Sequence, residues 1–271
     1  MESPITREEL IKKIEAKKNV STVNTSLIYD MHNLFKNKTF NHPLNDWDVS
    51  NVKYMAYMFY DATNFNQPLN EWDVSNVEIM YCMFQGAISF NKPLNDWEVS
   101  NVTDMTGMFE DAKSFNQPLN DWDVSSVDNM RAMFWGADSF DQPLNEWDVS
   151  SVTDMERMFK GAKSFNQSLN DWNVSKVTTM EEMFCNAKSF NQPLNNWNVS
   201  NVENMRNMFN GVKNYIYSFK TWKLNSKCDT NYFLENCNLW HLFNTVEDLP
   251  IQEGFRIPMI IIGDRKTWKI L

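Results

Sequence analysis

Carboxylate side chains recur at two fixed positions in this chain, one residue before and one residue after tryptophans that stand 25 residues apart. Carboxylate oxygens are the ligands that Ca²⁺ prefers, and carboxylate groups also attract basic protein surfaces. The carboxylates that precede a tryptophan are Asp46, Glu71, Asp96, Asp121, Glu146 and Asp171. Those that follow one are Asp48, Asp73, Glu98, Asp123 and Asp148. This chemistry predicts either docking of a basic protein or weak divalent-cation binding.

These eleven carboxylates slightly exceed the formal net charge of −10, so the acidity of the chain is concentrated in them. If the 25-residue units stack at a strand spacing of ~4.8 Å, neighbouring charges repel by ~0.9 kcal/mol in water and ~3.5 kcal/mol at an effective dielectric of 20. A bound partner would offset that repulsion. Alternatively, water and neighbouring Asn and Ser side chains satisfy the acids, which repeat duplication has merely copied. Since no EF-hand or RTX loop occurs, Ca²⁺ binding is the weaker alternative.

The sequence contains no set of residues that is a candidate for catalysis. His32, His42 and His241 are scattered, there is no Gly-rich phosphate loop, and the acids form repeated columns without a unique pair. We therefore expect neither an enzyme nor a cofactor. The acidic balance also argues against nucleic-acid binding, which needs clustered Lys and Arg.

Cysteine spacing and hydropathy exclude further classes of protein. The cysteines lack CxxC spacing, so we expect no zinc site and free thiols, with a bridge between Cys228 and Cys237 left open. Neither a secretory signal nor a run of ~18 apolar residues is visible, which by default predicts a soluble, intracellular protein without membrane insertion. The four cysteines are Cys82, Cys185, Cys228 and Cys237.

The elements that position the carboxylates follow from the 25-residue period, which is typical of a tandem array. In the unit that begins at Phe115, Leu119-x-x-Trp122-x-Val124 matches the strand of a leucine-rich repeat. Apolar residues with helical spacing follow and predict a helix, which Gly136 is placed to end. The apolar positions with helical spacing are Val127, Met130, Met133, Phe134 and Ala137. We expect the tryptophan and methionine columns to form the core.

The predicted fold is an α/β solenoid, a leucine-rich-repeat-like right-handed superhelix with one short parallel strand and one helix per coil, capped at both ends. Residues 1–39 form the N-terminal cap, with a helix over residues 6–18 that opens at a Thr6-x-x-Glu9 capping box. A half-repeat follows, whose return is one residue shorter. Seven repeats occupy residues 40–214, and a degenerate eighth occupies residues 215–239. Residues 240–271 form the C-terminal cap, in which the sequence predicts a hairpin.

A second candidate surface lies on the opposite, helix-bearing side, where the residues vary from coil to coil. The first two coils gather aromatic and apolar residues there, which suits either packing against the N-terminal cap or docking of a partner. These residues are Tyr54, Tyr57, Tyr60, Ile79 and Tyr81.

The unit Phe-Asn-Gln-Pro-Leu-Asn-x-Trp-Asp-Val-Ser-x-Val-x-x-Met-x-x-Met-Phe-x-x-Ala resembles the BspA-like leucine-rich repeat, which also occurs in mycoplasma surface lipoproteins. The resemblance covers residues 40 to about 239. It implies a non-enzymatic solenoid for protein–protein interaction of the adhesion type, in a surface protein that binds host or matrix proteins. A structural or assembly component, such as a virion protein, is the alternative.

Overall fold

The computed structural model describes residues 3–237, and one α-helix, α1 (Arg7–Glu15), lies within them. α1 begins at the predicted capping box. The Thr6 hydroxyl accepts a hydrogen bond from the Glu9 N–H at 3.3 Å, and the Glu9 carboxylate accepts one from the Thr6 N–H at 2.9 Å. The helix ends before the predicted Lys18 because Lys17 is left-handed, with φ 52°.

Successive 25-residue coils lie side by side and are joined by parallel β-bridges. The bridged residues are 25 apart, except for Asp30 and Tyr54, which are 24 apart. This confirms the shorter return that the sequence predicts for the half-repeat. The bridges join Asp30 to Tyr54, Tyr54 to Ile79, Ile79 to Asp104, Asp104 to Asn129, Asn129 to Asp154, Asp154 to Thr179, Thr179 to Asn204 and Asn204 to Asp229.

Backbone hydrogen bonds between coils continue from each bridge as a regular series, which we call the ladder. Every second residue donates its N–H to a carbonyl of the next coil, while the residues between them donate back within their own coil, as Met108 does to Met105 at 3.1 Å. Between the third and fourth regular coils, the ladder donors are Met105, Gly107, Phe109 and Asp111, and their acceptors are Asn129, Arg131, Met133 and Trp135.

The predicted helix over residues 127–137 is wrong, because this segment forms the ladder instead. Ala132 and Gly136 have φ values of 55° and 67°, and these left-handed residues interrupt the right-handed run that an α-helix needs. Alternating turns nevertheless preserve the burial pattern, so Met130 and Met133 remain fully buried. Helical spacing of apolar residues is therefore satisfied here without a helix.

The predicted strand from Leu119 to Val124 is also wrong. The Trp122 N–H donates to the Leu119 carbonyl at 3.1 Å, which closes a turn, and the parallel bridge of this coil lies further along the chain at Asn129. Parallel stacking of 25-residue coils is observed, but through a different segment. The right-handed superhelix and the leucine-rich-repeat class stay predictions.

The core is a set of aromatic columns that run along the stack. Trp97 and Trp122 stack with ring centroids 6.3 Å apart and planes within 2°. The Trp122 indole N–H donates to the Leu94 carbonyl of the preceding coil at 2.9 Å, and equivalent bonds recur from Trp47 to Trp222. Each tryptophan therefore fills the core and also pairs a backbone carbonyl, as buried polar groups require.

The last described coil keeps this core while its sequence diverges. Tyr215, Trp222 and Phe233 remain buried in the degenerate eighth repeat. The four cysteines are free thiols, so the pairing of Cys228 with Cys237 that the sequence left open does not occur. The predicted C-terminal hairpin lies outside the described residues.

Candidate interaction surfaces

The eleven carboxylates that flank the tryptophans, from Asp46 to Asp171, are all exposed, and we call them the acidic face. Between them the tryptophans are buried; Trp122, for example, is 2% exposed while Asp121 and Asp123 face solvent. The predicted alternation of inward tryptophan and outward carboxylate is confirmed, although a turn rather than a strand produces it.

The acids that follow the tryptophans also shape the backbone. The Asp123 carboxylate accepts hydrogen bonds from the Ser125 hydroxyl at 2.6 Å and from the Ser125 N–H at 3.1 Å, which closes a local turn. The side-chain and backbone bonds from Ser125 lower the pKa of Asp123. Asn198 makes the same turn with Ser200 in a later coil. The turn therefore needs the side-chain oxygen but not the negative charge.

The acids that precede the tryptophans lie beside a column of asparagines. The Asn120 side-chain oxygen accepts from the Glu146 N–H of the next coil at 3.1 Å, and Asn170 accepts equivalently from Asn196. The asparagine column thus joins neighbouring coils by accepting backbone N–H groups of the next coil. These bonds use the N–H of the acidic residue. Carboxylates of this column also accept hydrogen bonds from asparagine amides, as Glu146 does from Asn145 at 2.5 Å and Asp171 from Asn196 at 3.3 Å.

Positive side chains do not neutralise the acidic face. The salt bridges of residues 3–237, which run from Arg7–Asp30 to Lys163–Asp138, include none of its eleven carboxylates. In the same part of the chain, no three His, Cys, Asp or Glu side chains are grouped to hold a metal ion. Within residues 3–237, the eleven carboxylates therefore carry charge that no Lys, Arg or His side chain pairs.

Comparison with known proteins identifies a family for this chain. Residues 7–122, 75–157 and 142–242 each match the family model described as Mycoplasma protein of unknown function, DUF285. The chain belongs to the DUF285 family. Because the matches overlap and together span most of the chain, the DUF285 unit is itself repetitive, as the tryptophan period predicts. No curated protein matches the chain. Among the described residues, no helix of this DUF285 protein has the length and apolarity needed to cross a membrane.

The predicted tyrosine patch is a packed cluster in the first DUF285 repeats. The Tyr57 ring lies 5.6 Å from Tyr60 and 5.1 Å from Tyr81 in edge-on contacts. The Lys36 ammonium of the half-repeat lies over the Tyr57 and Tyr60 rings, 4.6 and 4.7 Å from their centroids. Tyr54 and Ile79 are joined by a bridge beside this cluster, and all five patch residues are half-buried. The contact with Lys36 favours packing against the N-terminal cap.

A charged network joins three successive DUF285 coils along the ladder. Glu156 pairs with Arg157 at 2.9 Å, and Glu182 accepts from Arg157 at 2.6 Å. The Arg157 guanidinium and the Lys160 ammonium also lie over the Trp135 ring, 5.7 and 5.0 Å from its centroid. The network therefore uses its charges internally and presents less free charge than the acidic face.

Glu110 is an unusual carboxyl group because the ladder half-buries it. Burial, followed by the charge of Asp111, raises the pKa of Glu110 to about 6. Gly107 leaves room for this group: a Cβ atom there would lie 3.2 Å from the Glu110 Oε2 atom and 3.1 Å from the Cys82 sulfur. Burial likewise raises the pKa of Cys82 to about 11, so its thiol is protonated at neutral pH.

Replacing Glu110 by glutamine is expected to stabilise the protein at pH 7.5 but not at pH 4. A carboxyl whose pKa is raised by folding favours the folded state at low pH, and this contribution is lost as pH rises from about 4.5 to about 6. We expect the melting temperature of the variant to exceed that of the parent by about 2–4 °C at pH 7.5. Thermal melts at both pH values test this, with Glu203→Gln at an exposed site as control. An equal shift at both pH values would contradict it.

Sequence reasoning missed the cation–π contacts of these clusters. Lys36 and Trp135 carry no motif, and their roles depend on which residues the neighbouring coil places beside them. Arg7 stands 25 residues before His32. Continuing the repeat period backwards from the half-repeat therefore places Arg7 beside His32.

Proposed function

We propose that this repeat protein is a non-enzymatic scaffold whose acidic face docks a basic surface of a partner protein. The observation that carries the proposal is the row of exposed carboxylates, all without salt bridges to the described residues. The adhesion-type role implied by the BspA-like resemblance would make that partner a surface or matrix protein.

The charge of the acidic face is more than the fold requires. Asn173 and Asn198 close the same turns as the aspartates, so asparagine throughout the column would satisfy the backbone. Carboxylates repeated along the stack repel one another, and a basic partner would convert this repulsion into attraction. Electrostatic docking of this kind depends strongly on ionic strength.

The test replaces Asp96, Asp121 and Asp123 together by asparagine and measures binding of a fluorescent decalysine peptide by anisotropy. The matched control is Glu8→Gln/Asp61→Asn/Glu203→Gln, which removes the same net charge at exposed positions outside the acidic face. At low salt we expect the first variant to bind up to about tenfold more weakly, because each exposed ion pair contributes only ~0.2–1 kcal/mol.

Salt dependence provides the second measurement. The affinity of the parent is expected to fall between 50 and 300 mM salt, and that of the acidic-face variant to fall less steeply. The control variant should bind within about twofold of the parent. Equal weakening of both variants would show that overall charge, not the acidic face, attracts the peptide, and would overturn the proposal.

A further inference from the structure

At the N-terminal edge of the stack, the half-repeat has backbone carbonyls whose counterparts in later coils accept hydrogen bonds from the preceding coil. Four carbonyls of a coil accept ladder bonds from the coil before it, except in the third regular coil, where three do. Between the half-repeat and the first regular coil, the donors are Met31, Asn33, Phe35 and Asn37, and the acceptors are Tyr54, Ala56, Met58 and Tyr60. The corresponding carbonyls of the half-repeat belong to Asp30, His32, Leu34 and Lys36. No earlier coil precedes them in the described chain, so this edge resembles the open edge of a sheet.

Arg7 of α1 replaces half of the missing donors. Its guanidinium donates from Nε to the Asp30 carbonyl at 2.9 Å and from a terminal nitrogen to the His32 carbonyl at 2.8 Å. The Asp30 carboxylate lies 3.8 Å from the same guanidinium and helps to hold it. A side chain thus stands in for two backbone N–H groups at the end of the ladder.

The other half of the edge is open. The carbonyls of Leu34 and Lys36 receive no hydrogen bond from residues 3–237. Both residues line a cavity of about 300 Å³ between α1 and the half-repeat. Because the ladder directs the equivalent carbonyls of every later coil towards the preceding coil, these two carbonyls point to the same side as the cavity. Within the stack, the N–H groups that pair the equivalent carbonyls come from alternate residues of a ladder segment, which contains left-handed residues such as Gly107 and Asp111.

The charge of this cavity is opposite to that of the acidic face. Its lining contains Arg7, His32, Lys36, Lys38 and Glu15. Arg7 and His32 pair with the Asp30 carboxylate, and the Lys36 ammonium lies over the Tyr57 and Tyr60 rings. Lys38 is exposed and forms no salt bridge with the described residues. Ile11 and Ile14 supply an apolar wall. In a chain with a net charge of −10, this local basic character favours an acidic ligand.

We propose that this cavity binds an acidic segment of a partner protein that adopts the ladder conformation and donates two alternate backbone N–H groups to the Leu34 and Lys36 carbonyls. Carboxylates of the segment face Lys38, and its apolar side chains contact Ile11. The segment extends the ladder where the Arg7 cap stops. This site is separate from the acidic face, and the two surfaces select ligands of opposite charge.

The probe is an acetylated, amidated peptide with the sequence of residues 107–112, Gly-Met-Phe-Glu-Asp-Ala. Inside the stack, the N–H groups of Phe109 and Asp111 donate to Met133 and Trp135, whose counterparts in the half-repeat are Leu34 and Lys36. The peptide therefore combines the required donors with two acids. Binding of its fluorescent form is measured by anisotropy on the full chain.

The matched control is the same peptide methylated on the two donor nitrogens. It keeps every side chain and charge but lacks both N–H groups, and we expect it to bind at least about tenfold more weakly. Lys38→Glu in the protein should weaken the unmodified peptide about three- to tenfold without changing the melting temperature, since Lys38 is exposed.

Two results would overturn the proposal. Equal binding of the methylated peptide would show that charge alone attracts it, and failure of the unmodified peptide to saturate at millimolar concentration would show that the edge is not a peptide site. Both outcomes are independent of the decalysine experiment, since the acidic-face variants leave this cavity unchanged. The Asp96→Asn/Asp121→Asn/Asp123→Asn variant should accordingly bind the acidic peptide as the parent does.

Discussion

Replacement of Trp122 by alanine is expected to lower the free energy of unfolding by about 3–5 kcal/mol. Trp122 is 2% exposed and packs 6.3 Å from both the Trp97 and Phe109 ring centroids, so its removal opens a large cavity in the middle of the stack. It also leaves the Leu94 carbonyl without its indole donor. Because each coil contacts only its neighbours, the loss weakens two coil interfaces at once.

Urea unfolding, followed by the fluorescence of the remaining tryptophans, measures this effect. Trp122→Phe keeps an aromatic ring but not the N–H donor, and a smaller loss of about 1–3 kcal/mol is expected. Asp121→Asn, at the exposed neighbouring position, should change stability by less than about 0.5 kcal/mol. A loss below 1 kcal/mol for the alanine variant would contradict the role of the tryptophan column as core.

Replacement of Gly161 by valine is expected to cost about 2–3 kcal/mol through backbone strain alone. Gly161 has φ +67°, a conformation that β-branched residues adopt at particular cost. A Cβ atom there would be in ordinary contact, 3.9 Å from the Gly136 Cα atom, so the Cβ atom itself adds no steric clash. The experiment therefore isolates the left-handed conformation that the ladder imposes.

Gly161→Asn is the matched control for this prediction. Asn186 occupies the equivalent position one coil later with φ 59°, which shows that the ladder accepts asparagine there. We expect the asparagine variant to lose less than about 1 kcal/mol, and Gly161→Ala to lie between the two. The same urea titration measures all three. Equal stability of the valine and asparagine variants would mean that the left-handed conformation is not required in solution.

These two residues also show how far the sequence predicts the fold. The 25-residue spacing around Trp122 is sufficient to predict a tandem array with tryptophan inside and carboxylates outside, because repetition and side-chain polarity depend on the sequence alone. Glycine, aspartate and asparagine alternate at the position of Gly161, which indicates positive φ. The sequence predicts a helix end there; the residues at this position have positive φ, but no helix precedes them.

The candidate surfaces also have features that the sequence predicts and features that it does not. Exposure of the acidic face follows from its residue types, and the structure confirms it. The contact of Lys36 with Tyr57 joins residues more than 20 positions apart, without any motif to connect them. Such contacts depend on the register between coils, which residue types alone do not specify.

The sequence by itself determined the repeat, the buried columns and the position of the negative charge, since all three follow from residue type and period. Only the tertiary structure decided where the backbone N–H groups donate. An i, i+3, i+4 pattern of apolar residues is satisfied equally by a helix and by alternating turns, and hydrogen bonds to the neighbouring coil select the turns. The same intercoil bonding leaves the Leu34 and Lys36 carbonyls open at the edge of the stack, because the backbone pairing of a coil depends on the coil beside it.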